Sequence, residues 1–286
     1  MESNILTAVF LPLALFIIML GMGLSLVPGD FKRVFIYPKA TILGLINQLI
    51  LLPLVAFGLC VAFNLPGELA VGMMILSACP GGATSNLITH LSKGDIALSI
   101  TLTAISSFIT VLTIPIITNL SLEYFMKESE IIKLPVLETI AQVIGITILP
   151  VSIGMIIKRY KSELSSKVEK PLKTLSAVFL VIIILGAILK NKADIIDFFV
   201  QAGPVALVLN IATLAIGYFS STIFGLTVPQ RRTISIESGI QNGTLAIAVA
   251  ASILKNPQMS ISPAIYSLIM FFTAGFLIFS VNRKKA

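Results

Sequence analysis

The composition of this 286-residue chain excludes an ordinary soluble protein. Hydrophobic residues make up 56% of it and charged residues only 12%, which is more apolar sequence than a soluble core can bury. The net charge of +7 would suit nucleic acid, but Lys and Arg lie between the apolar runs, as topology signals do. We therefore predict an all-α polytopic membrane protein that does not bind nucleic acid. Cys60 and Cys79 lie inside apolar runs without the spacing of a metal site or a disulfide framework.

Nine apolar segments are long enough to cross a bilayer as helices, which takes roughly 20 residues each. They lie at about 5–27, 38–63, 67–91, 95–121, 137–158, 172–190, 200–226, 231–254 and 262–282. The connections are short, so we expect residues 1–286 to form a single transmembrane unit. Met1 and Glu2 place no basic segment before the first apolar run, which we expect to be a retained helix.

A polar stretch interrupts the eighth segment near its middle, Glu237-Ser238-Gly239-Ile240-Gln241-Asn242-Gly243. A carboxylate at bilayer depth is costly and usually faces a cavity or an ion. Glycines at that depth loosen the helix, so that some backbone carbonyls no longer bond to the next helical turn and can face another group. A polar packing seam between helices is the alternative, but an acid with two amides and two glycines is very polar for that role.

The third segment contains a second break, Cys79-Pro80-Gly81-Gly82-Ala83-Thr84-Ser85-Asn86. A proline kink alone would be structural, but the oxygen-bearing side chains that follow it indicate the start of a half-helix. In the fourth segment Ser99, Thr103 and Ser106 share one helix face, and the first two would lie nearest Asn86 in a tight hairpin. Ser106 and Thr110 are predicted to be packing residues.

The two breaks align when Gly82 is placed on Gly239, and the predicted orientation makes their helices antiparallel. Segments two to four would then match segments seven to nine as an inverted repeat, which is typical of secondary transporters with a midplane site. A broken helix exposes N–H groups that suit an anion and carbonyls that suit a cation. One carboxylate among neutral oxygen ligands fits Na⁺ better than Ca²⁺.

These motifs resemble those of the bile acid:sodium symporter family, and the chain is similar to a bacterial homologue. The resemblance is carried by Cys-Pro-Gly-Gly-x-x-Ser-Asn at 79–86, Lys-Gly-Asp-x-Ala-Leu-Ser at 93–99 and Glu-x-Gly-x-Gln-Asn at 237–242. It implies two discontinuous crossing helices in a core domain at about 38–121 and 200–282. It also implies a panel domain at about 5–27, 137–158 and 172–190 that moves against the core.

The resemblance also implies the site residues. One sodium ion would be held by Ser85, Asn86, Ser99, Thr103 and Glu237. A second would be held by Gln48, Gln241, Glu237 and the backbone carbonyls near Ser238 and Ile240. From the residues alone, Asn47-Gln48 fits a hydrogen-bonded pair between helices as well as a functional role. The organic anion would bind beside Ala83, Thr84 and Asn242.

The expected function is a sodium-coupled symporter that imports an organic anion by alternating access, with two Na⁺ ions. Because Ala83 replaces a threonine frequent in the family, a smaller carboxylate such as pantoate is as good a candidate as a bile acid. A proton-coupled carrier or antiporter, with Glu237 titrating, is the alternative on the same scaffold. An intramembrane enzyme would depend on His90 near Asp95, and a passive channel is disfavoured by the midplane breaks.

Basic residues predict the orientation of the chain, because Lys and Arg gather in cytoplasmic loops. With the N-terminus outside, the inner segments carry 15 basic residues and the outer segments 5. We therefore predict a plasma (inner) membrane protein with its C-terminus in the cytoplasm. A cysteine introduced as Ser166→Cys should react with an impermeant thiol reagent only from the cytoplasmic side. Labelling from outside intact cells would contradict both the orientation and the inverted repeat.

Overall fold

The computed structural model describes residues 11–126, 135–165 and 195–283, with some positions between 167 and 182. Every regular element in these ranges is helical. Most of the sixth predicted segment, at 172–190, lies outside the described residues, as do Ser166 and the start of the first segment. The helices are α1 (Leu11–Gly23), α2 (Pro28–Lys32), α3 (Pro38–Ala62), α4 (Gly67–Ala78), α5 (Ala83–Leu91), α6 (Ile96–Phe125), α7 (Val136–Tyr160), α8 (Ile195–Ile223), α9 (Val228–Gly239), α10 (Gly243–Ala248) and α11 (Ile261–Arg283).

Several of these helices can cross a membrane. Five in the described ranges are long and apolar enough, and there are seven spans if each of two bent pairs counts as one. The bent pairs are α1 with α2 and α4 with α5. The chain is therefore a helical membrane protein with several spans, as its composition predicts. The count of nine helices remains a prediction.

The first apolar segment ends earlier than its hydropathy predicts. We expected a helix as far as residue 27, but α1 ends at Gly23 and the chain turns by 71° into the helix that starts at Pro28. Pro28 favours a helix start because its ring fixes φ and it needs no N–H partner. The Asp30 carboxylate accepts a hydrogen bond from Val27 N at 2.8 Å, which fixes that start.

Two of the long helices contain a wider turn just before a proline. In α3 the π-helical turn is Asn47–Leu51, followed by Leu52 and Pro53. In α7 it is Ile144–Ile148, followed by Leu149 and Pro150. A proline ring clashes with the carbonyl four residues earlier, and one extra residue in the turn relieves that clash without ending the helix. The turn in α3 also carries two polar side chains into the buried interior.

Glycines allow the helices to approach closely at two interfaces. Between α1 and α7, a Cβ on Gly154 would lie 2.5 Å from Leu20 O. Between α8 and α9, a Cβ on Gly217 would lie 2.7 Å from Ser235 Cα, and Ser235 Oγ donates to Leu214 O at 2.6 Å. Membrane helices associate through such small residues because lipid provides no hydrophobic force between them.

The turn that follows α5 is bonded to the start of α9. Asp95 N lies 2.8 Å from Thr233 Oγ1 and 3.3 Å from Pro229 O. Arg232 Nη1 lies 3.4 Å from Ser92 O. The two helices that contain the breaks are therefore joined at this end of the bundle.

The same end of the bundle carries several of the basic residues that we assigned to the inner side. Lys93 and Arg232 belong to the α5–α9 contact. At the end of α11, Asn282 Nδ2 donates to Leu91 O at 3.1 Å, which brings Arg283 to this end. Their common location agrees with the charge distribution, and the side of the membrane that this end faces remains a prediction.

Close glycine packing predicts a position-dependent effect of one substitution. Gly217→Ala should destabilise the protein by about 1–3 kcal/mol, because its Cβ meets the α9 backbone. Gly275→Ala, in α11, is the matched control, since a Cβ there meets nothing within 4 Å. Thermal unfolding of the purified protein measures the difference. Equal melting temperatures for the two variants would contradict the described α8–α9 contact.

Candidate functional site

The two interrupted helices meet at their breaks. α4 ends at Ala78 and α5 begins at Ala83, after a bend of 67°. α9 ends at Gly239 and α10 begins at Gly243. Asn242 N donates to Pro80 O at 2.9 Å, so a main-chain hydrogen bond joins one break to the other. The polar stretches that the sequence places in separate segments therefore form one site.

A glycine in the first break allows the main chain to approach a carboxylate. A Cβ on Gly81 would lie 2.5 Å from Glu237 Oε2 and 3.1 Å from Ser85 Oγ. The first distance is shorter than real Cβ contacts and the second is tight, so a larger residue would displace the carboxylate or the break. Gly81 therefore brings the break within reach of Glu237 rather than merely bending the helix.

Oxygen atoms from two other helices, α5 and α6, lie around the Glu237 carboxylate of α9. Ser99 Oγ lies 2.6 Å from Glu237 Oε1, and Thr103 Oγ1 lies 3.0 Å from Oε2. Ser99 Oγ is also 2.7 Å from Asn86 Oδ1, and Ser85 Oγ is 3.5 Å from Thr103 Oγ1. Asn86 is half-buried, whereas the other four side chains are at most 1% exposed. We call these five side chains the Glu237 cluster.

The Glu237 cluster holds more acceptor oxygens than it has hydroxyl protons. Ser99 has one proton for two acceptors, Glu237 Oε1 and Asn86 Oδ1. The Ser85 proton goes to Gly82 O at 2.8 Å. Among the described residues no basic side chain forms a salt bridge with Glu237, so none of them neutralises the carboxylate. Crowded buried oxygens with a net negative charge are an arrangement that a cation stabilises.

A second set of polar groups surrounds the break after α9. Gln241 Nε2 donates to the carbonyls of Glu237 at 3.1 Å and Ser238 at 3.0 Å. Gln48 Nε2, from α3, lies 3.5 Å from Gln241 Oε1. Gln48 Oε1 is buried and has no hydrogen-bond partner among the described residues. Ile240 lies in the link itself, so the structure brings the predicted residues of the second ion site together.

The residues predicted to contact the organic anion lie where the breaks meet. Ala83 and Thr84 begin α5 and are half-buried. Asn242 is 7% exposed, and its Oδ1 accepts from Leu245 N at 3.0 Å, which caps α10. A Cβ on Gly82 would lie 3.8 Å from Asn242 Nδ2, so the starts of the two half-helices are adjacent.

Two buried residues contact the second break, and the sequence patterns do not predict this contact. Asn210 Nδ2 and Tyr266 Oη lie 2.7 Å and 2.9 Å from Gly239 O. An unpaired buried carbonyl would cost about 1–3 kcal/mol, so these donors matter to the break. The only sequence signal for Asn210 is that it is a single carboxamide in a long apolar helix.

The remaining polar candidates bond locally. Ser106 Oγ donates to Thr103 O within α6 at 3.3 Å, and Thr110 Oγ1 bonds in the same way to Ser107 O. Both contacts agree with a packing role. The Asp95 carboxylate accepts from Leu98 N at 3.1 Å and caps α6, while His90 is exposed. The His90 and Asp95 side chains, the pair required for an intramembrane enzyme, therefore do not hydrogen-bond to each other in the structure.

Comparison with known proteins identifies the family. Residues 12–198 match the Sodium Bile acid symporter family, which is well over half of the chain. The chain belongs to that family. The matched span contains Ser85, Asn86, Ser99 and Thr103 and ends before Glu237. The resemblance in the sequence motifs is thus confirmed.

Individual relatives extend the similarity over almost the whole chain. An uncharacterized sodium-dependent transporter of Bacillus subtilis, YocS, is 31% identical over 261 residues, which are 91% of this chain and 78% of the relative. A probable chloroplastic sodium/metabolite cotransporter of Arabidopsis thaliana, BASS1, is 31% identical over 272 residues, or 94% of this chain and 66% of the relative. Human sodium/bile acid cotransporter 4 is 29% identical over 275 residues, or 94% and 62%. The chain thus spans less than two thirds of the length of several curated relatives of the family.

The Glu237 cluster predicts which hydroxyls in α6 affect the response to sodium. Thr103→Val should raise the Na⁺ concentration for half-maximal uptake about tenfold, equivalent to ~1.4 kcal/mol, because it removes one oxygen beside the carboxylate. Thr110→Val, the same substitution on the same helix, should have little effect because its hydroxyl bonds only to its own helix. Ser106→Ala should resemble Thr110→Val. Uptake in proteoliposomes measures all three, and equal effects would mean that these hydroxyls serve packing alone.

Proposed function

We propose that the protein is a sodium-coupled symporter that imports an organic anion by alternating access. The observation that carries the proposal is the Glu237 cluster. Its oxygens outnumber its hydroxyl protons, and no described basic side chain pairs with its carboxylate. Membership of a family of sodium-dependent transporters supports the identity of the cation.

The first ion in this proposal lies in the Glu237 cluster. Its ligands are the oxygens of Ser85, Asn86, Ser99, Thr103 and Glu237. A single carboxylate among neutral oxygens balances a monovalent ion, whereas Ca²⁺ usually attracts several carboxylates.

The second ion in this proposal lies at the break after α9. Its ligands are side-chain oxygens of Gln48, Gln241 and Glu237 and backbone carbonyls near Ser238 and Ile240. The unpaired Gln48 Oε1 supports this assignment, because a buried carboxamide oxygen without a donor is unfavourable unless a cation fills that role. Carbonyls at the end of an interrupted helix carry partial negative charge, which favours a cation further.

The organic anion in this proposal binds where the two half-helices begin. Ala83, Thr84 and Asn242 lie there, beside the Glu237 cluster. Free N–H groups at the start of α5 favour a carboxylate or a sulfonate. Ala83 offers no hydroxyl, so the anion depends on Thr84 and Asn242 for side-chain hydrogen bonds. The candidates are a bile-acid-like anion and a smaller carboxylate such as pantoate.

The proposed movement separates a core from a panel. The core consists of α3 to α6 and α8 to α11, arranged as an inverted repeat around the two breaks. The panel contains α1 and α7, which pack through the glycine contact described above, together with the sixth predicted segment. Ions that order the crossing region raise the affinity for the anion, and the anion raises the affinity for the ions by the same factor.

A proton-coupled carrier is the second candidate, because Glu237 is a titratable group bonded by two hydroxyls. The two mechanisms differ in their response to ions at fixed pH. Replacement of K⁺ by Na⁺ drives uptake in the sodium mechanism and leaves it unchanged in the proton mechanism.

The charge of Glu237 provides the sharpest test of the proposed function. Glu237→Gln keeps the size of the side chain and should still fold, because a neutral amide is easier to bury than a carboxylate. Na⁺-driven uptake should fall at least tenfold, and Na⁺ should lose most of its stabilising effect against heat. Thermal-shift and uptake assays in NaCl and in choline chloride measure both effects.

A matched control is Glu123→Gln, which changes an exposed carboxylate at the end of α6 in the same way. It should leave both sodium effects intact. Full sodium-driven uptake by Glu237→Gln would show that this carboxylate is not an ion ligand and would contradict the proposed function.

A further inference from the structure

The carbonyls freed by the second break have lost the main-chain partners of a continuous helix. In such a helix, Ser238 O and Gly239 O would accept from the N–H groups of Asn242 and Gly243. In the structure, Asn242 N donates to Pro80 O instead, and Gly243 N donates to Gln241 O. Both carbonyls are buried, so other donors must replace the lost ones.

Side chains supply those donors. Gln241 Nε2 bonds to Ser238 O at 3.0 Å. Asn210 Nδ2 and Tyr266 Oη bond to Gly239 O, and Asn210 Nδ2 also lies 3.2 Å from Tyr266 Oη. Asn210, Tyr266 and this carbonyl form a closed triangle in which each of the three polar hydrogens has one acceptor. Both side chains are 0% exposed.

Close packing brings the triangle together. A Cβ on Gly239 would lie 2.5 Å from Leu214 Cγ and 3.6 Å from Asn210 Nδ2, so α8 lies directly against the end of α9. Tyr266 reaches the same carbonyl from α11. Two helices outside the interrupted pair thus hold the end of the half-helix from two directions.

We propose that Asn210 and Tyr266 are positioning residues for the second ion site, an inference that rests on the proposed function. Their hydrogen bonds to Gly239 O prevent Gly243 N from donating to that oxygen, a bond that would make the helix continuous. The link at Ile240 and Gln241 then stays open, with Gln241 facing Gln48. Neither residue is a ligand of the ion, and each acts through the conformation of the link.

The positioning role affects one of the two ions. The carboxylate of Glu237 is held by Ser99 and Thr103 of α6, which the triangle does not touch. The first ion should therefore bind almost normally when one donor to Gly239 O is removed. The second should bind more weakly, because its ligands on the link lose their fixed arrangement.

The test uses Tyr266→Phe and Asn210→Leu, each of which removes one donor and leaves the other on Gly239 O. Tyr218→Phe, on α8, is the matched control, because Tyr218 is 37% exposed and makes none of the hydrogen bonds of the buried triangle. The melting temperature of each full-length protein is measured as NaCl replaces choline chloride at constant ionic strength. Stabilisation rises with the logarithm of Na⁺ concentration in proportion to the number of ions bound.

The wild type and Tyr218→Phe are expected to show the steeper, two-ion dependence. Tyr266→Phe and Asn210→Leu should need at least tenfold more Na⁺ to bind the second ion. Below that concentration only the first ion binds, so the rise of the melting temperature with the logarithm of Na⁺ concentration should be half as steep. A purely structural role would lower the melting temperature equally at every Na⁺ concentration and leave the slope unchanged. That result, or failure of both variants to fold, overturns the inference. An absence of sodium stabilisation in the wild type contradicts the proposed function itself.

Discussion

Placing one carboxylate in the apolar interior is the constraint on which the arrangement of the described helices depends. Isolated burial of a carboxylate costs far more than a single hydrogen bond returns, so Glu237 requires partners from several directions. Ser99 and Thr103 of α6 supply hydroxyls, and Gly81 lets the main chain of the first break come close. The break in α4–α5 is thus part of the environment of a side chain on α9.

An interrupted helix at this depth is stable only if its freed backbone groups find partners. The main-chain bond from Asn242 to Pro80 satisfies one group from each break at once. Gln241, Asn210 and Tyr266 satisfy carbonyls at the end of α9. The same bonds fix the backbone beside the Glu237 cluster, so the stability of the breaks and the geometry of the site have a common origin.

Local sequence signals predicted much of this arrangement. Proline and paired glycines mark a break within their own segment, and the helical period places Ser99 and Thr103 on one face, so their approach to Asn86 could be expected. Their grouping with Glu237 was implied only by the family resemblance. Asn210 and Tyr266 could not be predicted, because their role depends on how α8 and α11 cross α9, which no local pattern encodes. The π turn before Pro53 and the early end of α1 likewise reflect local backbone geometry that hydropathy does not report.

The double attachment of the two interrupted helices limits how their sequences can change in length. They are joined at the breaks by Asn242 and Pro80 and at the basic end by Thr233 and Asp95. One residue inserted between Thr233 and Asn242 would rotate the following chain by about 100° and break one attachment or the other. Conservative changes of apolar side chains in this stretch can be absorbed by repacking, but insertions and deletions cannot. The distance along the chain between the two attachments is therefore as much a property of the site as the identity of its ligands.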